Sequence, residues 1–486
     1  MSIRKALAFS FIDRYASLVI GVVSTMVLAR LLTPADIGVF SITVVLLSFA
    51  TTFRDFGAGQ YLVQEKDLTP DRIRAVWTLQ LSIGALLSLL AVAASGPVSR
   101  FYAEPRMRDI MWVLALSYLI NPFGSVTYAW LMRTLRFDAL ATMRFSATVV
   151  GAGVSIGLAW RGWGPISLAL GTLASIATNA AVSIAFRPRG FPLLPGLREV
   201  RRVLSFGTSL TSTSIIETVT AGAPELLLAK LQTLTDVGLF SRANGLVAMF
   251  ARLVTDSVST VAMSMFAKNA RESGDFSADF LKANAYVTAL GWSFSLMVVF
   301  LAHPLIRVLY GAQWDASVDL TRLLAVAMAA AAPAALCYQA LLAAGAAGRL
   351  LRAVAAAGAV TVPAAAVGAF FGLMPLGWAL LAAALLATAV WLRIAHAELG
   401  FSWSDYRAGL AKSARVAGVS MLVPATLMGL FGAYPTHSLP VLVVGLVGSG
   451  AGFVAGALYF KHPIAVELVA VFRNLRDRLT GPRQPG

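Results

Sequence analysis

An all-α integral membrane protein of about fourteen transmembrane helices is the fold class this sequence predicts, and three observations predict it. Charge is scarce: 58% of the 486 residues are hydrophobic and 13% charged, with a mean hydropathy of +0.77, whereas soluble domains carry about 25% charged residues. Apolar stretches long enough to cross a bilayer, about 17–25 residues, recur along the whole chain. They are continuous rather than alternating, which excludes an outer-membrane barrel. In lipid the backbone of such a stretch is satisfied only by helical hydrogen bonds. Third, the chain repeats itself at an offset of 200 residues: LARLLTPADIGVFS at 28–41 returns as LAKLQTLTDVGLFS at 228–241. Eight of the fourteen pairs are identical, from Leu28/Leu228 through Thr33/Thr233, Asp36/Asp236 and Gly38/Gly238 to Ser41/Ser241. In so apolar a chain, a duplicated unit points to a transporter with its substrate path between the copies.

Taken in order, the predicted spans are 11–32, 37–56, 75–95, 109–131, 140–160, 163–186, 203–230, 236–262, 283–303, 319–345, 351–371, 374–395, 415–434 and 438–460. The first begins like a signal peptide, with Arg4 and Lys5 before an apolar run. Asp13 and Arg14 interrupt that run and no small-residue cleavage site follows, so it reads as an uncleaved span. Lys and Arg gather in alternate loops, from Arg4 and Lys5 through Arg187, Arg189, Arg198, Arg201 and Arg202 to the tail from Lys461 to Arg483. The positive-inside rule then puts both termini in the cytoplasm. It also explains the net charge of +16 as a basic face toward anionic lipid rather than a nucleic-acid site. Six spans separate the two copies of the motif, so both lie on one side of the membrane and the repeat is parallel, its pseudo-twofold along the membrane normal. Pro97, Arg100 and Tyr102 before the fourth span echo Pro304, Arg307 and Tyr310 before the tenth. The expected organisation is a six-helix lobe at 1–202, a second at 203–400, and two further helices with a basic cytoplasmic tail at 401–486.

Charges inside spans cost about 2.5–3.5 kcal/mol each at mid-membrane, so each marks a partner or a wet cavity. The seventh span holds Glu217 and Glu225, eight residues apart and close to one helical face, within a Ser/Thr-rich stretch interrupted by Pro224. Glu225 could alternatively pair with Lys230 at the membrane surface. The eighth carries Arg242, Arg252 and Asp256; Arg252 and Asp256 are spaced to pair along one helix face. Arg242 has no acid at that spacing and must face another span or water, with Glu217 or Glu225 the natural counter-charge. Arg14 lies one or two turns inside the first span. Thr33 or Asp36, and their copies, can cap the following helices, so the Arg30/Lys230 and Asp36/Asp236 pairs read as scaffold. Cys337 reads as a small buried hydrophobe. The four histidines show no ligand spacing, so no metal site is expected, and Trp163, Trp314 and Trp403 read as interfacial anchors. There is no GxxxxGK[ST] loop and no HExxH. Hydrophilic loops reach only about 15–20 residues, which leaves no room for a catalytic domain: the chain is expected not to be an enzyme.

LARLLTPADIGVFS, FRDFGAGQYLVQ at 53–64, LAKLQTLTDVGLFSRANGL at 228–246 and PLIRVLYGAQWDASVDLTRLLA at 304–325 together resemble the polysaccharide transporter family. These are the Wzx-type lipid-linked oligosaccharide flippases of the MOP superfamily, which also contains lipid II flippases and MATE exporters. The resemblance covers nearly all of residues 1–400. It implies translocation of an undecaprenyl-diphosphate-linked oligosaccharide across the bacterial inner membrane by alternating access, with polymerase or glycosyltransferases as further partners. Related lipid II flippases use arginines in the middle of the first span, where Ser24 and Thr25 stand here.

The residues fit that role. A diphosphate needs guanidinium groups, for which Arg242, Arg252 and Arg14 are the candidates. An H+ or Na+ gradient needs a titratable or cation-binding acid, for which Glu217, Asp256 and Glu225 are the candidates; no other cofactor is expected. Two alternatives remain on sequence alone: an ion-coupled small-molecule or multidrug antiporter on the same fold, and a non-transporting scaffold of a polysaccharide-synthesis complex.

Overall fold

The computed structural model describes residues 3–54, 58–65, 67–188, 191–192, 195–201, 203, 211–272, 276–470 and 473. Among them every regular element is helical, as the composition requires. The chain divides into two compact units, Met1–Ser241 and Arg242–Gly486.

The first unit contains α1 (Ile3–Leu31), α2 (Pro34–Arg54), the short α3 (Ala58–Gln64), α4 (Pro70–Phe101), α5 (Arg106–Arg133), α6 (Phe137–Trp160), α7 (Ile166–Ala185) and α8 (Thr211–Leu231). Helix α9 (Leu234–Glu272) starts here and continues into the second unit. The second unit adds α10 (Ser277–Leu309), α11 (Val318–Ala331), α12 (Cys337–Ala343), α13 (Ala347–Phe371), α14 (Leu373–Leu399), α15 (Trp403–Ser420), α16 (Leu422–Phe431) and α17 (Ser438–Tyr459).

The chain is a multi-pass membrane protein. Among the described residues ten helices are long and apolar enough to cross a bilayer, or eleven if α15 and α16, bent by 43° at their junction, form one span. The expected figure of about fourteen is not reached by this measure, although among the described residues a helix runs through every predicted span. Helix α8 carries Glu217, Glu225, Lys230 and a run of hydroxyls, and α9 carries Asp236, Arg242, Arg252 and Asp256. Its charged side chains keep α8 out of that number.

The duplication is visible in packing. In the first unit α4 packs on α5, α6 on α7, and α5 on α7; in the second, α10 on α11, α13 on α14, and α11 on α14. The equivalent prolines Pro97 and Pro304 sit inside α4 and α10, and the equivalent tyrosines Tyr102 and Tyr310 end those helices. Small residues let the spans approach. A Cβ on Gly171 of α7 would lie 1.7 Å from Ser155 Oγ of α6, and one on Gly151 would lie 2.8 Å from Ser175 Cβ. With lipid on both sides, such close backbone packing is what holds helices together.

In the second unit a 3₁₀ turn at Ala332–Ala334 separates α11 from α12. Side chains from three helices satisfy the carbonyls around it: Trp292 Nε1 donates to Ala329 at 2.8 Å, Thr388 Oγ1 to Ala330 at 3.0 Å, and the Tyr406 hydroxyl to Pro333 at 2.9 Å. Irregular backbone at membrane depth requires such cover. The last helices dock through a buried polar seam. Ile464 N–H donates to His462 Nδ1 at 3.2 Å, so Nε2 carries the proton and faces Ser413 Oγ at 3.2 Å, with Thr288 Oγ1 3.0 Å beyond. Burial first, and Lys412 second, push the His462 imidazole down to about 4. A histidine that sequence reasoning set aside is therefore a neutral, oriented core group.

Candidate functional site

The repeated motif builds the same cap twice. Asp36 Oδ2 accepts from Thr33 N at 3.1 Å and Thr33 Oγ1 at 2.7 Å, while Asp36 N donates back to Thr33 Oγ1 at 3.2 Å. Asp236 and Thr233 make the same three bonds at 3.2, 2.6 and 3.2 Å. These reciprocal bonds satisfy the free amides that open α2 and α9, as the sequence predicts.

The two capped turns then cross each other. A Cβ on Gly38 would lie 2.1 Å from the Leu234 carbonyl oxygen, and one on Gly238 would lie 1.8 Å from the Pro34 carbonyl oxygen. Only glycine permits backbones this close. One turn further along, Ser41 Oγ and Ser241 Oγ stand 2.8 Å apart. Each repeat thus meets its own copy, as two-fold symmetry requires of residues on its axis.

One residue breaks that symmetry. Glu225 on α8 accepts a hydrogen bond from Ser41, whose hydroxyl also meets Ser241. The position 200 residues earlier is Thr25. Glu225 is 8% exposed, and Ser41 is its hydrogen-bond partner among the described residues. Helix α8 runs antiparallel along α2: Ser41 meets Glu225, Val45 meets Gly222, and Thr52 Oγ1 lies 3.0 Å from Thr218 Oγ1.

The loop between α4 and α5 clasps the crossing from outside. Arg106 bridges Asp36 at 2.8 Å and Glu104 at 2.8 Å. The Arg106 guanidinium, against burial, holds the Glu104 carboxyl below its ordinary range. Lys230 Nζ donates to the Phe101 carbonyl at 2.7 Å and lies 4.1 Å from the centre of that ring. Lys230 is therefore not the partner of Glu225, because the loop at Phe101 claims it.

The remaining sequence-predicted residues fall as follows. Glu217 is exposed on α8, so the two acids differ in environment despite their spacing. Arg242, in the second unit, lies 5.7 Å from the ring centres of both Tyr310 and Trp314, a cation–π arrangement. Its Nε is buried without a hydrogen-bond partner among the described residues. Trp314 is fully buried, not an interfacial anchor, because Arg242 and Tyr310 pack on it. The side chains of Arg14, Arg252 and Asp256 lie outside the described residues. Cys337 is buried as expected. Sequence reasoning missed the serine pair as a contact, although Ser41/Ser241 was an identity within the repeat.

The model of a family described as polysaccharide biosynthesis proteins matches residues 27–319. Among curated relatives, the succinoglycan biosynthesis transport protein ExoT of Rhizobium meliloti is 23% identical, covering 98% of this chain and 95% of its own. The lipopolysaccharide biosynthesis protein WzxC of Escherichia coli is 21% identical over 63% of each chain. The teichuronic acid biosynthesis protein TuaB of Bacillus subtilis is 22% identical over 57% of this chain and 58% of its own. Among solved structures, the lipid II flippase MurJ in its inward closed conformation matches at TM-score 0.74 and 14% identity, covering 94% of this chain and 99% of that one. An inward-facing MATE multidrug transporter of the MOP superfamily matches at 0.61 and 14%, covering 82% and 95%. At these identities the two structures share the fold.

Proposed function

Because the chain belongs to the polysaccharide biosynthesis protein family, we propose that it flips an undecaprenyl-diphosphate-linked oligosaccharide from the cytoplasmic to the periplasmic leaflet of a bacterial inner membrane. The product serves cell-surface polysaccharide synthesis. The observation that carries this reading is the relative named as a succinoglycan transport protein, aligned over 98% of the chain. The multidrug exporters resemble the chain in fold alone, so the antiporter reading has no sequence relative behind it.

In this reading two six-helix lobes, 1–202 and 203–400, alternate in access, both termini are cytoplasmic, and the helices of 401–486 brace the second lobe. Arg242 offers its donors to the diphosphate: among the described residues its charge is held by aromatic rings and not by a carboxylate, which leaves the guanidinium available to phosphate oxygens. Arg252 and Arg14 complete the headgroup set. Glu217, Glu225 and Asp256 are the acids through which an H+ or Na+ gradient drives the cycle.

The test is complementation of a deletion strain. Arg242→Ala and Glu217→Gln are each expected to lower polysaccharide export at least tenfold, about 1.4 kcal/mol in the limiting step, at unchanged membrane abundance. Full export by both variants rejects this site.

A further inference from the structure

We propose that the side of the α2–α8 pair that carries Glu217 is a glycan-binding stripe, taking the hydroxyl-bearing sugars of the cargo rather than its phosphates. This rests on the transport reading and deepens it by giving one part of the substrate to one surface.

The two helices are antiparallel and touch where Thr52 Oγ1 and Thr218 Oγ1 lie 3.0 Å apart. Side chains turn by about 100° per residue along a helix. One residue back from the contact, on each member of an antiparallel pair, the side chains therefore turn to the same side. Those residues are Thr51 and Glu217, and Ser48 lies about one turn before Thr51 on α2. Glu217 is exposed there, and among the described residues no hydrogen bond or ion pair holds its carboxylate. A carboxylate inside a span is too costly to leave in hydrocarbon, so this side of the pair stands in water.

The direction of the hydrogen bonds says what fits. Ser48 Oγ donates to the Val45 carbonyl at 2.6 Å, Thr51 Oγ1 to that of Ser48 at 2.8 Å, and Thr220 Oγ1 to that of Ile216 at 2.7 Å. Thr52 and Thr218 spend their hydrogens on each other or on the carbonyls of Ser48, at 3.0 Å, and Ser214, at 2.8 Å. All five hydroxyl hydrogens stay within the helix pair, and lone pairs are what remains outward. Ionised Glu217 adds two acceptor oxygens and no hydrogen. A ligand that brings donors gains bonds here without breaking any. A phosphate or carboxylate brings acceptors only, so it must pull hydroxyls off their carbonyls and face the charge of Glu217. Sugar hydroxyls are donors that meet both conditions.

A bound cation also seeks oxygens, but it needs them about 2.0–2.6 Å from one point. Glu217 and Thr51 project from helix axes about 8–10 Å apart, a gap that suits a pyranose ring with hydroxyls on either edge.

The test is binding by the purified full-length chain in nanodiscs, read by saturation-transfer NMR. The probes are free neutral gluco- and galacto-oligosaccharides and, against them, oligogalacturonate. The neutral glycans are expected to bind the parent more tightly than the uronate. Glu217→Ala weakens them about tenfold and Thr51→Val about threefold, the loss of a charged and a neutral acceptor respectively. Glu217→Lys puts a cationic donor in place of the carboxylate and reverses the preference toward oligogalacturonate, a gain that misfolding does not produce. Neutral glycans that fail to bind the parent, or that bind Glu217→Ala equally well, overturn the stripe. So does a parent that prefers the uronate. Because no lipid carrier and no export enter the measurement, failure here is distinct from failure in the complementation test.

Discussion

At the scale of single residues, placement decides what a polar group does. Glu217 and Glu225 share a helix, yet one is exposed and the other is buried against Ser41. Nothing in their spacing separates them; the partner that buries Glu225 comes from a helix some 180 residues away. His462 makes the same point and yields a pH prediction. Its imidazole is pushed down to about 4 by burial, while an unfolded histidine takes up a proton near 6.5. Its contribution to stability is thus complete above pH 6.5 and is lost progressively as pH falls toward 4. The full interval is worth at most about 3.4 kcal/mol. The thermal midpoint of the detergent-purified chain is expected to drop between pH 7 and pH 5, and His462→Gln to remove most of that drop. An equal drop in both proteins would place the sensitivity elsewhere.

At the scale of elements, α2 and the start of α9 form one device written twice. The Thr-x-x-Asp caps were legible from the sequence because capping is local, settled within three residues. The close approach of Gly38 and Gly238 was not, because nothing along one chain segment says that its copy lies against it. Gly238→Ala places a methyl 1.8 Å from a backbone oxygen that cannot turn aside, and overpacking of this kind costs about 1–3 kcal/mol. Gly245→Ala on the same helix meets nothing within 4 Å and is expected to be neutral. Paired thermal unfolding of the two variants checks this, and equal midpoints would remove the crossing from the energetics. The burial of Trp314 escaped sequence reasoning for the same reason. Tryptophan at a span end favours the interface on average, and only the fold brings Arg242 and Tyr310 to its faces.

At the scale of the whole molecule, the duplication was the most legible feature and returns as matching helix pairs in each unit. The role of the last helices was less so, since an extra pair of spans carries no signature of where it docks. Phe401 and Tyr406 enter the core that holds Phe266, Phe280 and Cys337, and Tyr406 also covers the Pro333 carbonyl. Truncation after residue 400 is therefore expected to abolish stable accumulation in the membrane rather than merely to slow export. An abundant, well-folded truncated protein would contradict this. There remains the lone acid at the crossing, where the earlier copy has Thr25. A protein built by doubling would start with identical halves, and an acid kept in both would set two carboxyl groups at the same axis. Here one half has the acid and the other does not. One carboxyl group stands where the doubling would have set two.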